Sequence, residues 1–175
     1  MAQQIKSRAD GLRELRHVND RLMSYNVEMT EVTGGTFWKA YTPGQITGTE
    51  PFPAPKDFRE LGKIIQVYPP INLYNDKLRA LAKEFGPVWV RVSGTWASKT
   101  YSDFDGTTGG KAPEGYQSVL TKEQLIGVLN FVKALGAKLL ISVANCEGVH
   151  SVSAPWNPCE AEKIFSLSRA AVSPI

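Results

Sequence analysis

Asn75-Asp-Lys-Leu-Arg-Ala-Leu-Ala-Lys-Glu-Phe-Gly-Pro-Val-Trp-Val-Arg-Val-Ser-Gly94 decides the fold. Its first half is a helix with a start and a stop. Asn75 can cap it, Leu78, Leu81, Ala82 and Phe85 share one face, and Gly86-Pro87 ends it. Val88 to Val92 then forms a short, β-branched, almost continuously apolar run, as expected of a parallel strand covered on both faces, and Ser93-Gly94 closes it. A helix running straight into a buried strand is the repeating element of an α/β protein.

The same unit recurs on both sides. Downstream, Thr121-Lys-Glu-Gln124 is a capping box, Leu125, Val128, Leu129 and Val132 form a helical stripe, and Gly136 supplies the C′ residue. Lys138-Leu-Leu-Ile-Ser-Val-Ala144 then repeats the strand pattern. Asn157-Pro-Cys-Glu160 begins a third helix with a cap, Pro at the first helical position and Glu at the third, with Ala161, Ile164 and Phe165 following at helical spacing up to Pro174. Upstream, Tyr25 to Val32 alternates apolar and polar residues and reads as the first strand, ended by Gly34-Gly35. Three βα units in series imply a parallel sheet, which can open a doubly wound fold or a barrel.

Loop lengths favour the barrel. Residues 34–72 and 95–120 are two long connections, the first with six prolines, and each follows a strand end. Enlarged βα loops are how a barrel builds a cleft at its C-terminal face. Residues 1–17 read as an N-terminal extension, helical or irregular, and 18–175 as the barrel-like domain.

Composition narrows the function classes. The chain has 175 residues, 42% hydrophobic and 21% charged, with no apolar run near the roughly 20 residues a membrane helix needs. The net charge of +3 is scattered, so neither nucleic acid nor a membrane is an expected partner. Cys146 and Cys159 are free thiols or at most one bridge, and with His17 and His150 the only histidines, neither a metal cluster nor a cofactor is expected. The amino end lacks the apolar core of a secretory signal, so a cytoplasmic location is expected for the chain as written.

The candidate site lies just past the strands. Trp38, Trp96 and Trp156 each follow one, in the company of Phe37, Tyr41, Tyr101 and Phe104. Flat aromatic area at a barrel mouth can stack on the C–H face of a sugar ring, although any one tryptophan can equally pack the rim. Glu31, Thr95 and Asn145 stand at the three strand ends, where side chains converge on one cleft, although solvated or turn roles are open to each. Asp103-Phe-Asp105 could ligate calcium or simply form a turn, and Gly106-Thr-Thr-Gly-Gly110 lacks the Lys-Ser/Thr of a phosphate loop.

Together these residues carry a resemblance. Ser24-Tyr-Asn-Val-Glu-Met-Thr-Glu-Val-Thr-Gly-Gly-Thr-Phe-Trp38, Pro69-Pro-Ile-Asn-Leu73, Val90-Arg-Val-Ser-Gly-Thr-Trp-Ala97 and Asp103-Phe-Asp-Gly106 resemble the amino-terminal part of glycoside hydrolase family 79, the β-glucuronidase and heparanase family. The resemblance covers about Val18 to Arg169 and implies the first three βα units of a (β/α)₈ barrel. It implies that Glu31 contacts a uronic acid and that Thr95 and Asn145 match the family's threonine after the second strand and asparagine ending the third; Trp38 and Trp96 are the substrate-binding residues expected from the stacking argument. Trp156-Asn157 matches a Trp-Asn pair that opens the family's third helix.

The family's retaining mechanism needs two carboxyl groups about 5 Å apart, and both come from strands after the third. The expectation is therefore a fragment that stops before the fourth strand, with no catalytic residue of its own. It would take glucuronides or uronic-acid oligosaccharides and be inactive alone. Open sheet edges would leave it marginal without the remainder of the barrel as partner. The alternative is a non-catalytic carbohydrate-binding or complementing α/β protein. The parent family is often secreted, in contrast to this amino end.

Overall fold

A computed structural model describes residues 10 and 12–172. In chain order the elements are β1 (Ser24–Glu28), the helical turn α1 (Met29–Thr33), β2 (Gly35–Trp38), the turn α2 (Pro43–Thr47), β3 (Ile65–Tyr68), α3 (Asp76–Lys83), β4 (Trp89–Ser93), β5 (Thr100–Asp103), β6 (Ser118–Thr121), α4 (Lys122–Ala134), β7 (Lys138–Ile141) and α5 (Cys159–Val172). Residues 12–19 run without regular structure, and the remainder of the expected extension lies outside the described residues, as does Pro174. The Arg21 guanidinium ties the start of the chain to the body by donating to the Val88 and Gly136 carbonyls at 3.0 and 3.1 Å.

The central sheet is parallel, in the order β1-β4-β7. Val90 and Val92 in the middle strand are 2% and 1% exposed, which is what turns a short β-branched run into a strand: both flanks are paired and the side chains are covered. Tyr25, Val27, Val90, Val92, Leu139 and Ile141 all point to one face. There they join Leu78 and Ala82 of α3, Leu125, Val128 and Val132 of α4, and Ile164 of α5 in a single core.

The other face is open. In register across the sheet it carries Asn26 beside Arg91 and Trp89 beside Lys138, with Leu140 next to Arg91. Arg91 donates to Asn26 Oδ1 at 2.6 Å, the Lys138 ammonium sits 5.4 Å from the Trp89 ring centre, and Leu140 is 52% exposed. The molecule is thus mixed α/β, with five helices and parallel strands that do not close into a barrel among the described residues.

The predicted caps form. Asn75 Oδ1 accepts from Leu78 N, Thr121 and Gln124 bond reciprocally, and Gly136 takes a left-handed φ of 61° beyond the last turn of α4. Three details differ from the sequence expectation, the first being that β7 stops at Ile141 rather than Ala144. Leu81 and Phe85 are exposed, because Leu78 and Ala82 take the face of α3 turned to the core; Phe85 still meets the Tyr25 ring of β1 edge-on at 5.4 Å. The first strand stops at Glu28 rather than Val32. Met29 and Val32, three apart, both turn into the core, and that spacing belongs to a helical turn, not to a strand.

Both long loops contain strands too short to show a period. β2 and β3 pair antiparallel, Phe37 opposite Gln66, and β5 pairs parallel with β6. No helix among the described residues is long and apolar enough to cross a membrane.

Candidate functional site

At the C-terminal end of β1 two carboxylates come together. Glu28 ends the strand, and Glu31, one turn on, reaches back so that its Oε2 accepts from the Glu28 backbone N–H at 2.8 Å. This reverses the expected geometry for Glu31, which stands within α1 rather than at a strand end, because its carboxylate satisfies an orphan donor of that turn. Glu28 is the strand-end carboxylate. Its Oε2 is buried and unpartnered. Burial pushes the Glu28 pKa up, repulsion from Glu31 adds to the rise, and Arg91 partly opposes it. The Glu28 carboxylate fills the space beside Gly94, where a Cβ would fall 1.5 Å from Oε2, and Gly94 also has a φ of 100°. No other residue fits at position 94 while Glu28 keeps this rotamer.

From this point the chain folds back to make a cleft. Gly34, with φ 74°, packs where a Cβ would meet Pro70 Cδ at 2.8 Å, and Ile71 N donates to Glu31 O at 2.8 Å. The strand β2 carries Phe37 and Trp38, and Tyr68 of β3 locks the pair by donating to Trp38 O at 2.9 Å. Glu31, Phe37, Trp38, Tyr68 and the Pro69–Ile71 segment enclose about 470 Å³. Trp38 is 53% exposed, so a large indole face is free. A carboxylate, an open indole and rigid backbone around one cavity suit a ring with one apolar face and polar edges.

Trp96 stands on the other side of a shared wall. Its ring meets Phe37 edge-on at 5.4 Å and faces a second cavity of about 480 Å³, lined by Thr30, Thr33, Ser118, Thr121 and Gln124 among others. Five of the candidate residues are therefore placed as follows. Glu31 and Trp38 share one cleft, and Trp96 is one ring away. Thr95 and Asn145 are exposed beyond the ends of β4 and β7, outside the walls of both cavities; Asn145 N donates to Ser98 O at 2.9 Å.

Trp156, Tyr101 and Asp103 have structural roles. Trp156 donates its indole N–H to the Ala144 carbonyl at 3.0 Å, fastening the start of α5 to the end of β7. Tyr101 lies 4.0 Å beneath the Lys163 ammonium. Asp103 is 5% exposed and both its oxygens are occupied: Oδ1 accepts from Thr107 N at 3.0 Å, and Oδ2 from Thr108 N and Oγ1 at 3.2 and 2.6 Å. The Thr108 hydroxyl, with the other loop donors, holds the Asp103 carboxyl below the usual range against the opposing effect of burial. Asp103 thus serves the turn itself. Among the described residues no three of His, Cys, Asp and Glu converge, and both cysteines are free.

Glu160 changes its role most. Read as a helix-start acid, it is instead 1% exposed and bridges to the second loop: Oε2 accepts from Ser102 N at 2.6 Å and Oε1 from the Lys163 ammonium at 2.8 Å. The helix itself begins at Cys159, whose N–H donates to Asn157 Oδ1 at 3.0 Å. Sequence reasoning also missed Glu28. The signal was present, in the Met29 and Val32 spacing that ends the strand one residue earlier.

No family model matches the chain, and no curated protein matches it.

Proposed function

We propose that the chain is the substrate-holding amino-terminal portion of a retaining β-glucuronidase or heparanase-like glycoside hydrolase of family 79, and that its sheet is the first three βα units of a (β/α)₈ barrel. One observation carries the fold reading. The three core helices all cover one face of a parallel sheet, while Asn26, Arg91 and Leu140 on the opposite face are exposed and, among the described residues, no further strand pairs with either edge. A doubly wound sheet places helices on both faces, whereas a barrel places them only outside and fills the inward face with side chains of other strands. Asn26, Arg91 and Leu140 stand where such filling would occur.

The cleft supports the substrate class. Trp38 offers its face to the apolar side of a pyranose ring, the Glu31 carboxylate accepts from hydroxyls, and the cavity lies beyond the C-terminal end of β1, the sheet end at which barrels bind their ligands. The segments after the other two strands, Ser93–Ala97 and Ser142–Asn145, contain no carboxylate. Glu28 and Glu31 belong to one turn and are tied to each other through it. They bind and orient, and the acid/base and nucleophile of a retaining displacement would come from later strands.

Calorimetry of the purified 175-residue chain with an aryl β-glucuronide tests this. Saturable binding without release of aglycone is expected, weakened by Trp38→Ala and by Glu31→Ala. Absence of heat, or hydrolysis that survives Glu31→Ala, would overturn it.

A further inference from the structure

Cys146 and Cys159 frame the connection from β7 to α5 and take no part in the sugar cleft. The Cys146 carbonyl accepts from Val149 N and His150 N at 2.9 and 3.2 Å, so the chain turns at once after it. Asn157 N then donates to Val149 O at 2.7 Å, and Asn157 Oδ1 accepts from Cys159 N at 3.0 Å. Residues 146–159 are thus a loop pinched at its base. Residues 150–158 are exposed beyond the pinch, whereas Val149 is buried and both cysteines are half-buried within it.

The pinch packs on Tyr116. The Tyr116 hydroxyl donates to Gly148 O at 3.2 Å, and its ring lies so close that a Cβ on Gly148 would fall 2.1 Å from Cε2. Tyr101 meets that ring edge-on at 5.2 Å. Burial pushes the Tyr116 pKa up, and Glu160, Cys159 and Cys146 each add to the rise, so both sulfur atoms lie within electrostatic reach of one phenol. Cys159 Sγ also donates to Glu160 Oε1 at 3.9 Å.

From this arrangement we infer that Cys146 and Cys159 are a redox-modification site, closing into one intramolecular disulfide that ties the end of the central sheet to the start of α5. The inference is independent of the sugar reading. A disulfide needs Cα atoms within about 7 Å, a spacing that two cysteines, each one short turn from the Val149–Asn157 bond, can meet. The oxidant is a small-molecule disulfide. The thiolate of one cysteine attacks it, forming a mixed disulfide and expelling one small thiol. The thiolate of the other attacks the protein sulfur of that mixed disulfide, forming the Cys146–Cys159 bond and expelling the second. The two thiol protons leave on the two small thiols, and the two electrons reduce the reagent's own S–S bond. Closing residues 146–159 into a ring restricts the unfolded chain and so favours the fold.

The full chain, reduced and then equilibrated with glutathione disulfide, tests the site. A monomer lighter by two hydrogens is expected, with no alkylatable thiol, Cys146 linked to Cys159 in peptide maps, and a Tm about 5 °C above that of the reduced chain. Cys146→Ser and Cys159→Ser should each melt like the reduced chain in both buffers and stop at the mixed disulfide with glutathione. If either variant melts below the reduced chain, the peptide map and the melt of the unsubstituted chain still decide. Two alkylatable thiols after oxidation, glutathione retained on both cysteines, a linkage found only between chains, or a Tm that does not rise on oxidation would overturn the inference.

Discussion

Two long loops leave the same end of the same sheet and treat their side chains in opposite ways. The one after β1 presents: Trp38, Tyr41 and Phe52 are more than half exposed around two adjoining cavities. The one after β4 holds: Thr100, Ser102 and Asp103 are at most 5% exposed, and Glu160 and Lys163 of α5 are bonded into it. Residue types alone do not distinguish them, since both are rich in glycine, aromatics and carboxylates. What differs is burial: carboxylates are bonded in both loops, but Asp103 of the β4 loop is covered, whereas the β1 loop leaves its bonded pairs and its aromatic faces at the surface. A loop whose bonded groups are buried is architecture, and one whose aromatic faces stay exposed is the surface that the proposed function assigns to a ligand.

Substitutions can break that contrast, beginning with the largest effect. Glu160→Ala strands the Ser102 N–H and leaves the Lys163 ammonium without its carboxylate. It should lower stability by about 2 kcal/mol in urea unfolding, because the buried Ser102 N–H loses its acceptor, while the partly exposed Lys163 ammonium can turn to water. Asp103→Ala should act next, and locally. Amide exchange at Thr107 and Thr108 should quicken while global stability moves less than for Glu160→Ala. The native carboxyl pKa is depressed, so its contribution is present above the ordinary carboxylate range and fades as pH falls through the depressed value.

Glu28→Gln should move stability the other way. Its folded pKa is raised, so the carboxyl favours the fold below the ordinary glutamate range and loses that contribution as pH rises through the raised value. The substitution should therefore stabilise the chain by about 1 kcal/mol near neutrality and by nothing in acid, read from thermal melts across pH. Trp38→Ala should have the smallest effect on the fold, within about 0.5 kcal/mol, while glucuronide affinity falls about tenfold. A large loss of stability from Trp38→Ala would place the first loop with the second and end the comparison.

The α/β pattern was legible because long elements carry period and punctuation. Asn75, the Thr121-Gln124 box and Gly136 mark helix ends by local bonding, and the Val90 and Val92 run marks a covered strand whatever surrounds it. The loops were not legible in the same way. β2, β3, β5 and β6 are four residues each, too short for any period, and they exist because a distant partner pairs with them. The candidate site was half legible. Glu31 and Trp38 do share a cleft, since the chain must fold back within a few residues of β1. Which of two nearby glutamates ended the strand depended on Met29 and Val32 reaching a core assembled from β4 and α4. Glu160 could not be read at all, because its partner Ser102 lies 58 positions away.

The proposed function puts a uronic acid sugar on the β1 loop and not on the β4 loop. Amide chemical shifts of the isotopically labelled chain, followed during titration with methyl β-glucuronide, test it most directly. Saturable shifts are expected at residues 31–38 and 68–71, with Thr107 and Thr108 unmoved. Shifts centred on residues 103–110, or none at saturating glucuronide, would contradict the account.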